Sequence, residues 1–178
     1  MVGVVIIVVL LIIPVWFICV SNSLNKAIVK IEEADSGIDV ALTKRYDVLT
    51  KMVDVVKGYA KHEKEVIIET INLRKGMTIT EKNEVNNKMN EAFSKLNVVV
   101  ENYPNLKASE NFAVLQQSIV DVEEHLQAAR RLYNSNVSLF NQKIVSFPSS
   151  IVAEMKKLVK KEFFEVEEIK KQDVKIEF

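Results

Sequence analysis

The residues of this chain best equipped for chemistry sit close together. Lys57-Gly58-Tyr59-Ala60-Lys61-His62-Glu63 places two ammonium groups, a phenol, an imidazole and a carboxylate within seven positions. His62-Glu63 opens the H-E-x-x-H pattern, in which two imidazoles one helical turn apart hold zinc and the glutamate acts as base. Position 66 is Val66, so the second ligand is missing. The other histidine, His125, stands beside Asp121, Glu123 and Glu124. Bundles that bind two metals repeat a Glu-x-x-His spacing on two helices, but the residue three before His125 is Val122. No phosphate-cradling G-x-x-x-x-G-K, dinucleotide-binding G-x-G-x-x-G or nucleophile-elbow G-x-S-x-G occurs. The single cysteine, Cys19, lies in an apolar run, which excludes a disulfide framework and a cysteine-based zinc site. The chain therefore reads as having no catalytic residue, no metal and no cofactor, and as not being an enzyme. Its 24 basic and 24 acidic side chains balance, which argues against a nucleic-acid partner. Asn136-Val137-Ser138 is a formal glycosylation triplet in the middle of a helical pattern.

The elements that position these residues begin with a candidate membrane span. Val2 to Val20 reads VGVVIIVVLLIIPVWFICV, without a charge. As a helix it covers ~28 Å, close to the ~30 Å hydrocarbon layer of a bilayer. Trp16 and Phe17 suit the interface, and Ser21-Asn22-Ser23 marks the exit into water. A cleaved leader needs a basic start and an A-x-A-like site, but no Lys or Arg precedes Lys26 and no Ala-x-Ala stands near the exit. The expected partner of this segment is the lipid bilayer. Lys26, Lys30, Lys44 and Arg45 follow the span and no basic residue precedes it. The positive-inside rule then places the N-terminus outside and the helical domain in the cytoplasm.

Beyond the span, four glycines and three prolines in the whole chain leave few breaks, which predicts long helices. Leu24, Ile28, Ile31, Asp35, Ile38, Leu42, Arg45, Leu49, Met52, Val56 and Tyr59 follow alternating steps of three and four, a helix-packing seam interrupted by Asp35 and Arg45. The spacing predicts a helix from about 23 to 61, with Gly58 at its end easing a bend or a close approach, and a shorter one over 63–74. A third begins at a Thr80 cap with Glu81 in its first turn and ends at Asn102-Tyr103-Pro104. Ser109 caps a fourth, whose seam runs from Phe112 through Val122, Leu126 and Tyr133 to Ile144. Phe147-Pro148 stops it, and a fifth starts at Ser149 or Ser150 and reaches about Lys160. The last residues, DVKIEF, read as an extended tail. The expected fold is all-α: an N-terminal transmembrane helix (1–21), an antiparallel helical bundle (22–165) with two long helices and two to three shorter ones, and a C-terminal tail (166–178).

Five linked motifs in this order and spacing resemble the LemA family. They are Asp39-Val40-Ala41-Leu42-Thr43-Lys44-Arg45-Tyr46-Asp47 with Val56 to Glu63; Tyr103-Pro104-Asn105-Leu106; Ala128-Ala129-Arg130-Arg131-Leu132-Tyr133-Asn134; Phe140-Asn141 with Phe147-Pro148; and Glu162-Phe163-Phe164. The chain departs from the usual pattern at Ala41, where glutamine is common, and at Thr50-Lys51, where Pro-Asn is common. It also departs at Lys156 to Lys161, which replace a Gly-Phe stretch. The resemblance implies a bacterial single-pass membrane protein with its N-terminus outside, an all-helical domain and no agreed enzymatic activity. It also implies company with membrane-associated proteases of the HtpX type.

Function then reads as a scaffold or adaptor that binds a protein partner at the membrane. The alternative is an envelope-stress or signalling sensor. The seams can also serve between chains, which leaves a homo-oligomer open. The residues expected to contact a partner or to fix the bundle's register are Asp39, Arg45, Asp47, Lys57, Tyr59, His62, Arg130, Arg131, Tyr133 and Asn134. Asp39 and Arg45 on the first long helix are expected to face Arg130, Tyr133 and Asn134 on its antiparallel partner.

Overall fold

The computed structural model of the chain describes residues 1–59, 71, 73, 74 and 76–164, and of residues 2–9 the backbone alone. Among the described residues the elements are all helical: α1 (Val2–Tyr59), α2 (Ile79–Glu101), α3 (Pro104–Lys107), α4 (Glu110–Val145) and α5 (Ser149–Met155). The candidate span and the first seam are one uninterrupted helix of 58 residues, about 87 Å long. Ser21-Asn22-Ser23 decorates this helix without breaking it, and Pro14 lies inside it. The helix expected over 63–74 falls mostly outside the described residues, as does the tail beyond Phe164.

Local chemistry sets the ends of the shorter elements. Thr78, not Thr80, caps α2: its hydroxyl accepts from the Glu81 N–H while the Glu81 carboxylate accepts from the Thr78 N–H. This reciprocal box needs an acid three residues after the cap, and only Thr78 has that spacing to Glu81. Pro104 starts α3 at a position where a missing N–H costs nothing. The Ser109 hydroxyl accepts from the Phe112 N–H and caps α4 as its sequence predicts. The last short helix, α5, stops at Met155, five residues earlier than expected. There Lys157 takes φ 53°, its N–H donates to the Glu154 carbonyl, and the Leu158 N–H donates to the Ala153 carbonyl. These paired bonds around a left-handed residue are a Schellman ending, which satisfies carbonyls that the helix leaves open.

The chain divides into two compact units. The first comprises Met1–Ser36 and Arg131–Phe163, and Leu24, Ile31, Val137, Phe140, Ile144 and Val152 are buried in it. Within it α1 and α4 run antiparallel, since Ser23 meets Lys143 and Lys30 meets Asn136. The second comprises Gly37–Arg130 and Phe164–Phe178. Its core joins Leu49, Met52 and Val56 of α1 to Met89 and Leu96 of α2, Leu106 of α3 and Phe112 of α4. Here α4 again runs antiparallel to α1, with Gly37 opposite Ala129 and Arg45 opposite Glu123. Helix α2 runs parallel to α1, because Asp39 meets Lys82 and Arg45 meets Asn86 and Asn90.

Candidate functional site

Two polar motif residues of the first helix, Asp39 and Arg45, find their partners chiefly on α2. Arg45 falls on the apolar seam and is 4% exposed. Its Nη1 donates to the Asn86 side-chain oxygen and, at 3.3 Å, to the Asn86 carbonyl. Its Nη2 donates to Asn90 Oδ1 at 2.5 Å and pairs with the Glu123 carboxylate of α4. The guanidinium also lies 5.3 Å from the centre of the Phe93 ring. A buried cation is costly, and a planar fork is the group best able to recover that cost through several fixed acceptors. One turn away the Lys82 ammonium, 1% exposed, lies 2.7 Å from Asp39 Oδ1. Lys82, Asn86 and Asn90 follow a four-residue spacing and share one face of α2. The stripe holds α1, α2 and α4 in one register: a slip of either helix by a turn would separate these groups. Sequence reading missed all three residues. The signal was there, since they interleave with the apolar positions Val85, Met89 and Phe93.

The motif residues on α4 have partners of their own. Arg130 stacks its guanidinium 4.7 Å over the Phe164 ring. In the first unit Tyr133 is 5% exposed, and its hydroxyl donates to the Glu162 carbonyl at 3.1 Å. Burial, and then the negative charges of Asp35 and Glu162, push this phenol up to about 12. Asn134 is half-buried and Arg131 exposed. Glu162-Phe163-Phe164 thus provides contacts to both Arg130 and Tyr133, which gives that motif a packing role. Asn141 adds to it by donating to the Lys161 carbonyl at 2.9 Å and accepting from the Lys161 N–H.

The reactive-looking heptapeptide is cut by the end of α1. Lys57 and Tyr59 occupy its last turn and are exposed, and His62 lies outside the described residues. Tyr59 does not continue the seam as expected, because it is half exposed. Among the described residues nothing lies within 4 Å of a Cβ at Gly58. Asp47 is exposed. Among the described residues no group of three or more His, Cys, Asp or Glu side chains is placed to hold a metal ion.

Near the start of α1, the apolar residues Leu10, Leu11, Ile12, Ile13, Val15 and Ile18 are all more than half exposed. Lysines follow directly. Lys156 donates to Ser21 Oγ at 2.7 Å and to Asn25 Oδ1 at 2.8 Å, and Lys143 donates to Ser23 Oγ at 2.8 Å. The first unit carries eight basic against five acidic side chains, a net charge of +3 in a chain whose total is zero.

Comparison with known proteins agrees with the motif order. The family model described as "LemA family" matches residues 34–178. The chain is 30% identical over 158 residues to "Protein LemA" of Metamycoplasma hominis, an alignment covering 86% of this chain and 72% of that relative. The buried Arg45, the stacked Arg130 and the Tyr133 contact all fall within the matched region, and the chain belongs to the LemA family.

Proposed function

We propose that this protein is a single-pass membrane-anchored scaffold, an adaptor that holds a protein partner at the bilayer and carries out no catalytic step. The observation that carries the reading is the apolar surface of α1. Leu10 to Ile13, Val15 and Ile18 are exposed among the described residues, yet the same helix continues into packed helical units. A collar of this kind is costly in water and stable in lipid, where the helix satisfies every backbone amide internally. The lysines after the span orient the N-terminus outward and the helices toward the cytoplasm.

The register-fixing stripe leaves other motif residues for contact with a partner. Asp47, Lys57 and Tyr59 on α1 and Arg131 on α4 are exposed, and a Tyr with a neighbouring cation is a composition common in binding hot spots. The family resemblance makes a membrane protease of the HtpX type the first partner to look for. Chemical crosslinking in intact membranes, with mass identification of what is attached, tests the reading. A discrete partner that is lost in Tyr59→Ala, with helical melting unchanged, supports the adaptor. Crosslinks that ignore changes at Asp47, Lys57, Tyr59 and Arg131 would remove the surface from consideration.

A further inference from the structure

The lysines just past the apolar run differ from Lys82 in a way that points to a ligand. Lys26, Lys30 and Lys143, together with Ser23 and Asn136, line a cavity of about 320 Å³ in the first unit. Among the described residues no carboxylate is placed against any of these three ammonium groups. Two hydrogen bonds shape the wall: Lys143 to Ser23 Oγ, and Asn136 Nδ2 to the Lys30 carbonyl at 3.0 Å. A cavity with three cations and a hydroxyl matches the oxygen atoms of a phosphate ester.

Its position selects the source of that phosphate. Ser23 lies ~4.5 Å and Lys26 ~9 Å along the helix beyond Val20, and the headgroup layer of a bilayer is ~5–8 Å deep on each side. Side chains on a helix tilt toward its N-terminus, so Lys26 and Lys30 lean back toward the apolar segment. The neighbouring α5 is tied to Ser21 through Lys156, and it leaves Ile151 and Met155 exposed one turn apart, with Phe147 exposed just before the helix. Apolar rings and chains beside lysines, at the edge of an apolar helix, are the composition of a membrane-interface surface.

We propose that the Lys26, Lys30 and Lys143 cavity binds the phosphate of an anionic phospholipid headgroup, with the Phe147, Ile151 and Met155 surface lying in the interface beside it. The proposal rests on the membrane-anchor reading above.

The single tryptophan, Trp16, lies four residues before Val20 and reports on the lipid next to this end of the helix. The full chain is reconstituted in phosphatidylcholine vesicles, and brominated phosphatidylglycerol or brominated phosphatidylcholine is titrated in while Trp16 fluorescence is followed. The wild type should be quenched by the glycerol lipid at a several-fold lower mole fraction. Lys26→Gln/Lys30→Gln, at two exposed positions, should lose that preference. The control Lys88→Gln/Lys95→Gln, an equal charge loss at exposed sites on α2, should keep it. Equal quenching by the two lipids in the wild type overturns the proposal, as does an equal loss in the control. If soluble glycerol phosphate abolishes the preference, the cavity serves a free phosphate ester and the lipid assignment is wrong. Absence of quenching by either lipid, with no flotation on phosphatidylcholine vesicles, would instead show that the anchor reading has failed.

Discussion

Each of the two packed units buries a polar side chain, and the two solutions are opposite in kind. In the second unit it is a cation, Arg45, held by two asparagines, a carboxylate and an aromatic ring. In the first it is a neutral phenol, Tyr133, with one hydrogen bond to a backbone carbonyl. A neutral hydroxyl needs one partner to be buried, whereas a guanidinium needs nearly all of its donors met. The second unit therefore spends two positions of α2, Asn86 and Asn90, on Arg45, and a third, Lys82, is a second buried cation paired with Asp39. The first unit instead leaves its cations Lys26 and Lys30 at the surface, next to the apolar helix.

The largest effect that separates these solutions is expected at Arg45. Arg45→Ala leaves Glu123 and the buried Asn86 without their cation and should cost about 3–5 kcal/mol in denaturant unfolding of the full chain. Arg45→Met/Glu123→Gln, which removes both charges and refills the volume, should recover at least half. If the alanine variant loses less than about 1 kcal/mol, the stripe does not hold the helices together.

For Tyr133 the distinguishing variable is pH. Its folded pKa is raised, from 10 to about 12. The stability this reflects is fully present below pH 10, where the phenol is protonated folded or unfolded. It is lost as pH rises toward 12, because only the unfolded chain then releases the proton. The loss over that window should be roughly 2–3 kcal/mol beyond that of Tyr133→Phe, which has no proton to release. Parallel alkaline slopes for the two proteins would show that the phenol is hydrated.

The comparison also explains what the sequence makes legible. The seams of α1 and α4 are visible because burial repeats every three to four residues over many turns, and Arg45 stands out as a break in one of them. Its partners on α2 do not stand out in that way. Their spacing between Val85, Met89 and Phe93 marks a polar stripe on the inner side of α2, but which residue they meet depends on α2 running parallel to α1, a tertiary fact that no local spacing encodes. Asp39 and Arg45 were expected to face the Arg130 region for the same reason, since antiparallel long helices are the simplest pairing. Tyr59 fits the period of the seam but sits where α1 ends, and periodicity does not reveal where packing stops. The choice between Thr78 and Thr80 was open to local reasoning: T-x-x-E picks Thr78. Thr78→Ala should cost about 1 kcal/mol. The Glu81 carboxyl is held below the usual carboxylate range first by the Thr78 N–H, which alanine keeps, and then by Arg74, so Arg74→Gln should move it closer to its ordinary value, as carbon-detected NMR would show.

The smallest effect is expected at Lys157, and its sign is favourable. In the Schellman ending of α5 this residue takes φ 53°, a conformation that costs a side chain with a Cβ about 1 kcal/mol and costs glycine almost nothing. Lys157→Gly should stabilise the first unit by about 0.5–1 kcal/mol, less than the relief alone because glycine also gains freedom when unfolded. The control is Lys157→Ala, which removes the same charge but keeps the Cβ. Backbone relief predicts a gain for glycine and none for alanine. An equal gain in both would place the effect in the crowded lysines of 156–161, and the helix ending would then owe nothing to the identity of its left-handed residue.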